Sequence, residues 1–215
     1  MMPSRGALAR CAPFGIFIAM LMLGSVLPSP HVVLVRSILV ALALAWFWRS
    51  YGELRRPSPA RATHWLLAGS FGLAIFVAWI WLDHDWIVFG TWPGFDPRLP
   101  GGTIDWPVAL LRLAGSALVV PIMEELFWRS FLLRWLERQD FLALAPGKVG
   151  ARSFAITTLL FALEHNQWLA GAIAGAAYNA LYIRSGNLWV PILAHVVTNG
   201  ALGAWILATG SWQFW

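Results

Sequence analysis

The chain has 215 residues, of which 59% are hydrophobic and 12% charged, against about a quarter charged in a soluble domain. A mean hydropathy of +0.66 excludes a water-soluble globule with one anchor and indicates a polytopic membrane protein. The net charge is +5 and the pI near 10.3, but the basic residues lie between apolar segments, which makes them topology signals and excludes a nucleic-acid partner.

A membrane-crossing helix needs about 20 mostly apolar residues. The first such segment runs from about Pro13 to Leu27, preceded by Arg5 and Arg10. No small-x-small cleavage site precedes Pro28, so it is expected to be a retained helix and not a signal peptide. The second spans about Val32 to Trp48, interrupted by Arg36, and the third about Trp65 to Leu82. Between them lies "RSYGELRRPSPAR", with Arg49, Arg55, Arg56 and Arg61. After the third comes a loop with four aspartates and one arginine. The positive-inside rule puts the first loop and the N-terminus in the cytoplasm and the acidic loop outside.

From Trp106 to about Arg138 runs one long helical pattern, which Pro121 is expected to kink or break. A cytoplasmic loop with Arg134, Arg138, Lys148 and Arg152 follows. Further helices are expected at about Ser153 to His165, Trp168 to Ile183 and Leu188 to Leu207. The fold class is therefore all-α: a polytopic membrane bundle of about 7 (6–8) transmembrane helices. It divides into residues 1–105, N-terminal helices and outer loop, and 106–210, the expected catalytic core, together one compact membrane domain. Many of the 15 tryptophans fall near helix ends as an aromatic belt. The run "AGAIAGAAYNA" offers small residues for close helix contact. Cys11 is the only cysteine, which excludes an internal disulfide, and reads as a packing residue.

The polar residues left at membrane depth are Arg36, Arg112, Glu124, Glu125, Arg129, Glu164, His165, His195 and Asn199. Ionisable groups there are costly and mark a polar cavity or a partner. Glu125 and Arg129 are four apart and can pair, whereas Glu124 points about 100° away from Glu125 and needs a different partner. "FALEH" puts Phe161 and His165 on one face, and "HVVTN" does the same for His195 and Asn199. A shared internal cavity is the least costly arrangement for three helices that each present polar groups.

Such a cavity has two chemical readings. A glutamate and a histidine can share the proton of a water and make it nucleophilic, while a second histidine and an asparagine amide stabilise an oxyanion. Alternatively Glu124, His165 and His195 hold zinc or another divalent metal. Both routes lead to amide hydrolysis. No GxSG-type nucleophile, intramembrane aspartate pair or HExxH helix is present.

Glu-Glu-x-x-x-Arg in "EELFWR", Phe-x-x-x-His in "FALEH" and His-x-x-x-Asn in "HVVTN" resemble, in that order, the CPBP family. These are the type II CAAX prenyl endopeptidases and bacteriocin-processing enzymes. The chain also resembles the short bacterial CAAX-protease-related proteins associated with exosortase systems. The motifs cover Pro121 to Asn199; the first hundred residues match only in being hydrophobic. The resemblance implies a membrane endopeptidase in which Glu124 activates water with His165, and His195 and Asn199 stabilise the oxyanion. Glu125 and Arg129 would hold the site together, Glu125 with a share in catalysis. A metal-free mechanism is favoured, since a histidine and an asparagine four apart suit an oxyanion hole better than a metal site. The implied partners are the bilayer and a membrane protein or hydrophobic peptide cut near its terminus, in the inner membrane of a bacterium with the N-terminus cytoplasmic. The competing readings are a non-enzymatic scaffold or bacteriocin self-immunity protein, and a proton-coupled transporter. Against the transporter stands the lack of an internal repeat.

Overall fold

The computed structural model describes residues 4–27, 30–84, 86, 88–90 and 94–215. It is an all-α membrane bundle, and each of the seven long helices expected from sequence is present. They are α1 (Arg5–Val26), α2 (Pro30–Trp46), α4 (Ala62–Trp81), α5 (Trp106–Trp135), α6 (Ala151–Glu164), α7 (Trp168–Ser185) and α8 (Trp189–Thr209), with a one-turn helix α3 (Gly52–Arg55) in the basic loop. By length and composition α1, α4, α5 and α8 can cross a membrane, while α2 is apolar but shorter.

Apolar contact alone gives helices in lipid little drive to associate, so close backbone approach and polar bonds must hold the bundle. Both are present. A Cβ added to Gly72 of α4 would stand 2.6 Å from the Ala194 carbonyl of α8. Thr198 of α8 completes that contact by donating its hydroxyl to the Gly72 carbonyl at 3.0 Å. Gly171 and Gly175, one turn apart on α7, play the same part against α6. Added Cβ atoms there would meet Ala162 at 3.1 Å and Phe161 at 3.2 Å.

Two expectations are corrected. Arg10 was read as a topology charge ahead of the first helix, yet α1 begins at Arg5, and Arg10 is 1% exposed inside the bundle. Its Nε donates to Ser130 Oγ at 2.6 Å and its Nη2 to Glu53 at 2.6 Å. Arg134 also reaches Glu53, at 3.3 Å, and Ser130 donates to the same carboxylate. An arginine near a terminus can only be told from a topology signal by its carboxylate partner, here 43 residues away.

The second correction concerns Pro121. It does not break α5, whose backbone stays right-handed helical through the site. The helix widens instead into π turns at Gly115–Val119 and Leu126–Leu132. In the first, the Val120 N–H bonds back to the Gly115 carbonyl, five residues away. Pro121 has no N–H to offer Ser116, so the strain of a buried proline is met by one wide turn and one orphaned carbonyl.

Candidate active site

Glu124 of α5, His165 just past the end of α6, and His195 and Asn199 of α8 line one cavity of about 170 Å³. The cavity also takes in Arg112 and Tyr178. Three helices thus bring four of the expected site residues together. Trp215 lies over it from the C-terminal turn. That turn is held by Gly94, whose positive φ of 69° and lack of a side chain let the 94–95 backbone lie against Trp212. The Phe95 N–H then donates to the Trp212 carbonyl at 3.3 Å.

Glu125 faces away from this cavity and is completely buried. Its Oε1 accepts from Arg129 Nη1 at 3.0 Å and from His195 Nδ1 at 2.9 Å. The two carboxylates therefore face different surroundings, Glu125 its partners and Glu124 the cavity, as their 100° separation requires. Arg129 is fixed further by Asn179 Oδ1, which accepts from Nε at 3.2 Å, and by the faces of Phe161 and Tyr178 at 4.4 and 5.2 Å. Asn179 in turn donates to Thr157 and Thr158 of α6, both at 3.1 Å. One buried guanidinium thereby joins α5, α6 and α7.

The tautomers follow from the bonds. The Phe161 carbonyl can only accept, so His165 Nδ1, 2.7 Å away, carries the proton and Nε2 keeps its lone pair. The same logic at Glu125 puts the proton of neutral His195 on Nδ1. His195 can then donate from Nε2 only as an imidazolium, with Glu125 as its counter-charge. Tyr178 stacks on His195 with ring centroids 4.9 Å apart and donates to Thr198 Oγ1 at 2.8 Å.

Asn199 donates from Nδ2 to the Ser116 carbonyl at 2.9 Å. This is the carbonyl that Pro121 leaves without a helical donor, so the proline's missing N–H is what positions the asparagine. Glu164, unassigned from sequence, accepts from the Trp128 indole at 3.1 Å. Asn179, Tyr178 and Thr198 escaped the sequence reading. The first two lie in the small-residue run read as packing, though each is a polar group at membrane depth and was detectable as such.

A metal was the alternative reading of Glu124, His165 and His195. Among the described residues no three His, Cys, Asp or Glu side chains converge as a metal ion requires. The three face one cavity without forming such a group.

Residues 106–201 match the family model of type II CAAX prenyl endopeptidase Rce1-like proteins. A Bacillus subtilis (strain 168) protein named "Putative membrane peptidase YdiL" is 28% identical over 140 residues, 63% of this chain. The chain spans about half (52%) of that relative's length. No solved structure gives a significant match. The match begins with α5 and ends on α8, enclosing all three motifs, so that residues 106–201 are similar to the Rce1-like type II CAAX prenyl endopeptidases.

Proposed function

We propose that the protein is an intramembrane endopeptidase that hydrolyses a peptide bond near the terminus of a membrane-associated protein or hydrophobic peptide. The observation that carries this reading is the convergence of Glu124, His165, His195 and Asn199, from three helices, on one cavity. Glu124 Oε2 has no protein partner there. It accepts a proton from a water that also donates to His165 Nε2, and the resulting hydroxide attacks the carbonyl carbon. The developing oxyanion takes hydrogen bonds from Asn199 Nδ2 and from the His195 imidazolium. Glu124 then returns the proton to the leaving amine as the C–N bond breaks. Glu125 and Arg129 keep His195 in place and balance its charge.

On this reading residues 106–210 are the catalytic core, and 1–105 supply helices and the outer loop. The protein sits in the bacterial inner membrane with its N-terminus cytoplasmic. The cavity is lined from the helix ends remote from the arginine-rich loops, so by the positive-inside rule it faces the non-cytoplasmic side.

The test compares protein termini in membranes carrying wild type or Glu124→Gln at equal abundance, with and without a chelator. Loss of specific terminal fragments in the variant supports the protease and names its substrate. If the termini are unchanged while the variant's phenotype is lost, the protease reading fails in favour of a scaffold. Proton-coupled flux in liposomes with unchanged termini would favour a transporter.

A further inference from the structure

A second cavity, of about 270 Å³, adjoins the one that holds Glu124. The two share Trp79, His165, Phe214 and Trp215 as a common wall. His165 therefore stands at the junction, with Glu124, His195 and Asn199 on one side of it only. A peptide whose scissile bond lies against Glu124 and His165 must run on past both, and the second cavity is space for one of its arms.

The walls that belong to the second cavity alone are Asp83, Asn166, Gln167 and Gln213 beside Val88. They are tied together. Gln167, 8% exposed, donates from Nε2 to the Trp79 carbonyl at 3.0 Å and to Asp83 Oδ1 at 3.3 Å. Val88 pairs with Gln167 in an antiparallel bridge, and the Phe89 N–H donates to the Asn166 carbonyl at 2.8 Å. A buried amide thus fixes the direction of an exposed carboxylate just past the end of α4.

The three described aspartates between α4 and α5 do different work. Asp96 is paired with Arg98, and Asp105 caps α5 by accepting from the Val108 N–H at 3.3 Å. Asp83 takes part in no ion pair among the described residues. Its bond to a neutral amide leaves its charge unbalanced, and no lysine or arginine lines the second cavity. A carboxylate set in place beside the reacting groups selects for a cation, which gains a charge-assisted hydrogen bond there.

We propose that the second cavity is a subsite for a lysine or arginine side chain of the substrate, received by Asp83 on the aqueous side of the scissile bond. This deepens the protease reading and rests on it. Gln167, which holds Asp83, is two residues from His165, a span of at most about 7 Å. The basic residue therefore stands within about three residues of the bond that is cut. On the non-cytoplasmic side, where the positive-inside rule places this cavity, most membrane segments end without positive charge. The subsite thereby separates a few substrates from the bulk of the helices in the bilayer.

The test measures binding of N-acetyl-Leu-Ala-Val-Leu-Lys-Ser amide, and of the same peptide with norleucine for lysine, to purified Glu124→Gln protein in nanodiscs of zwitterionic lipid. The lysine peptide should bind about fivefold more tightly, the upper range for an exposed ion pair. Asp83→Asn keeps an acceptor for Gln167 and should abolish the preference while leaving the norleucine peptide's binding unchanged. Asp83→Lys should transfer the preference to the peptide with glutamate for lysine. Equal binding of the lysine and norleucine peptides overturns the proposal, and so does binding of neither. A lysine preference that survives in Asp83→Asn overturns it too, since the cation is then held elsewhere. Cleavage is not read, so failure of the subsite stays distinguishable from failure of the protease reading.

Discussion

Replacing Glu125 by glutamine removes a charge that two groups share, and the cost can be worked out from the geometry. Glu125 is 0% exposed and Arg129 1%, so neither has water to fall back on. In Glu125→Gln the guanidinium keeps Asn179 and its two aromatic faces but loses the carboxylate it is paired with. Breaking a buried pair from one side costs about 3 kcal/mol. For a chain of this size that lowers the unfolding temperature by roughly 6–12 °C. Arg129→Met should cost a similar amount, because it leaves Glu125 with His195 alone. The double variant Glu125→Gln/Arg129→Met has no stranded charge and should be more stable than the sum of the single losses by at least ~1.5 kcal/mol. Thermal unfolding of all four proteins in one detergent closes the cycle. If the losses add to within ~0.5 kcal/mol, the pair does not act as a unit and the account of Arg129 as a charge-balanced joint is wrong.

Pro121→Ala should leave stability near wild type but supply an N–H that competes with Asn199 for the Ser116 carbonyl. The expected loss in kcat is about tenfold, short of the 10²–10³ for removing an oxyanion donor outright; an unchanged kcat would show that the orphaned carbonyl does not position Asn199. At the other end of the bundle, burial pushes the Glu53 carboxyl up, but the Arg10 and Arg134 charges and the Ser130 hydroxyl outweigh it and hold the group below its ordinary 4.5. A carboxyl depressed in the fold stabilises above its unfolded value, and that stabilisation is lost as pH falls through the folded one. Unfolding scans should therefore show wild type weakening below pH 4.5. Glu53→Gln should be less stable than wild type at pH 7 and flatter in the acid range; parallel curves would refute the assignment.

The helices and the cavity set were legible in sequence because bilayer length and the cost of buried charge are strong constraints. Each glutamate, histidine and asparagine at membrane depth needs a polar partner or a polar cavity, and a shared cavity is the least costly way to meet that need. What stayed hidden depended on partners far apart in the chain. Glu53 sat in an arginine-rich loop and gave no sign that it would hold Arg10 and Arg134. Tyr178 and Thr198 look ordinary until Gly72 lets α4 and α8 approach. The π turns were invisible because hydrophobic periodicity assumes one residue count per turn, and Pro121 by itself signals only a break.

The wide turn at Gly115–Val119 gives residue number a significance separate from residue type. It behaves as one residue inserted into an otherwise regular α5. A chain one residue shorter between Gly115 and Val119 would be equally apolar and equally helical. Its Glu124–Glu125 ledge, however, would be rotated by about 100° relative to Arg112. Every side chain needed for the chemistry would still be present, on a helix facing the wrong neighbours. In this segment a one-residue deletion is thus more damaging than most substitutions, and chains that differ here in length differ in geometry even where their motifs read the same.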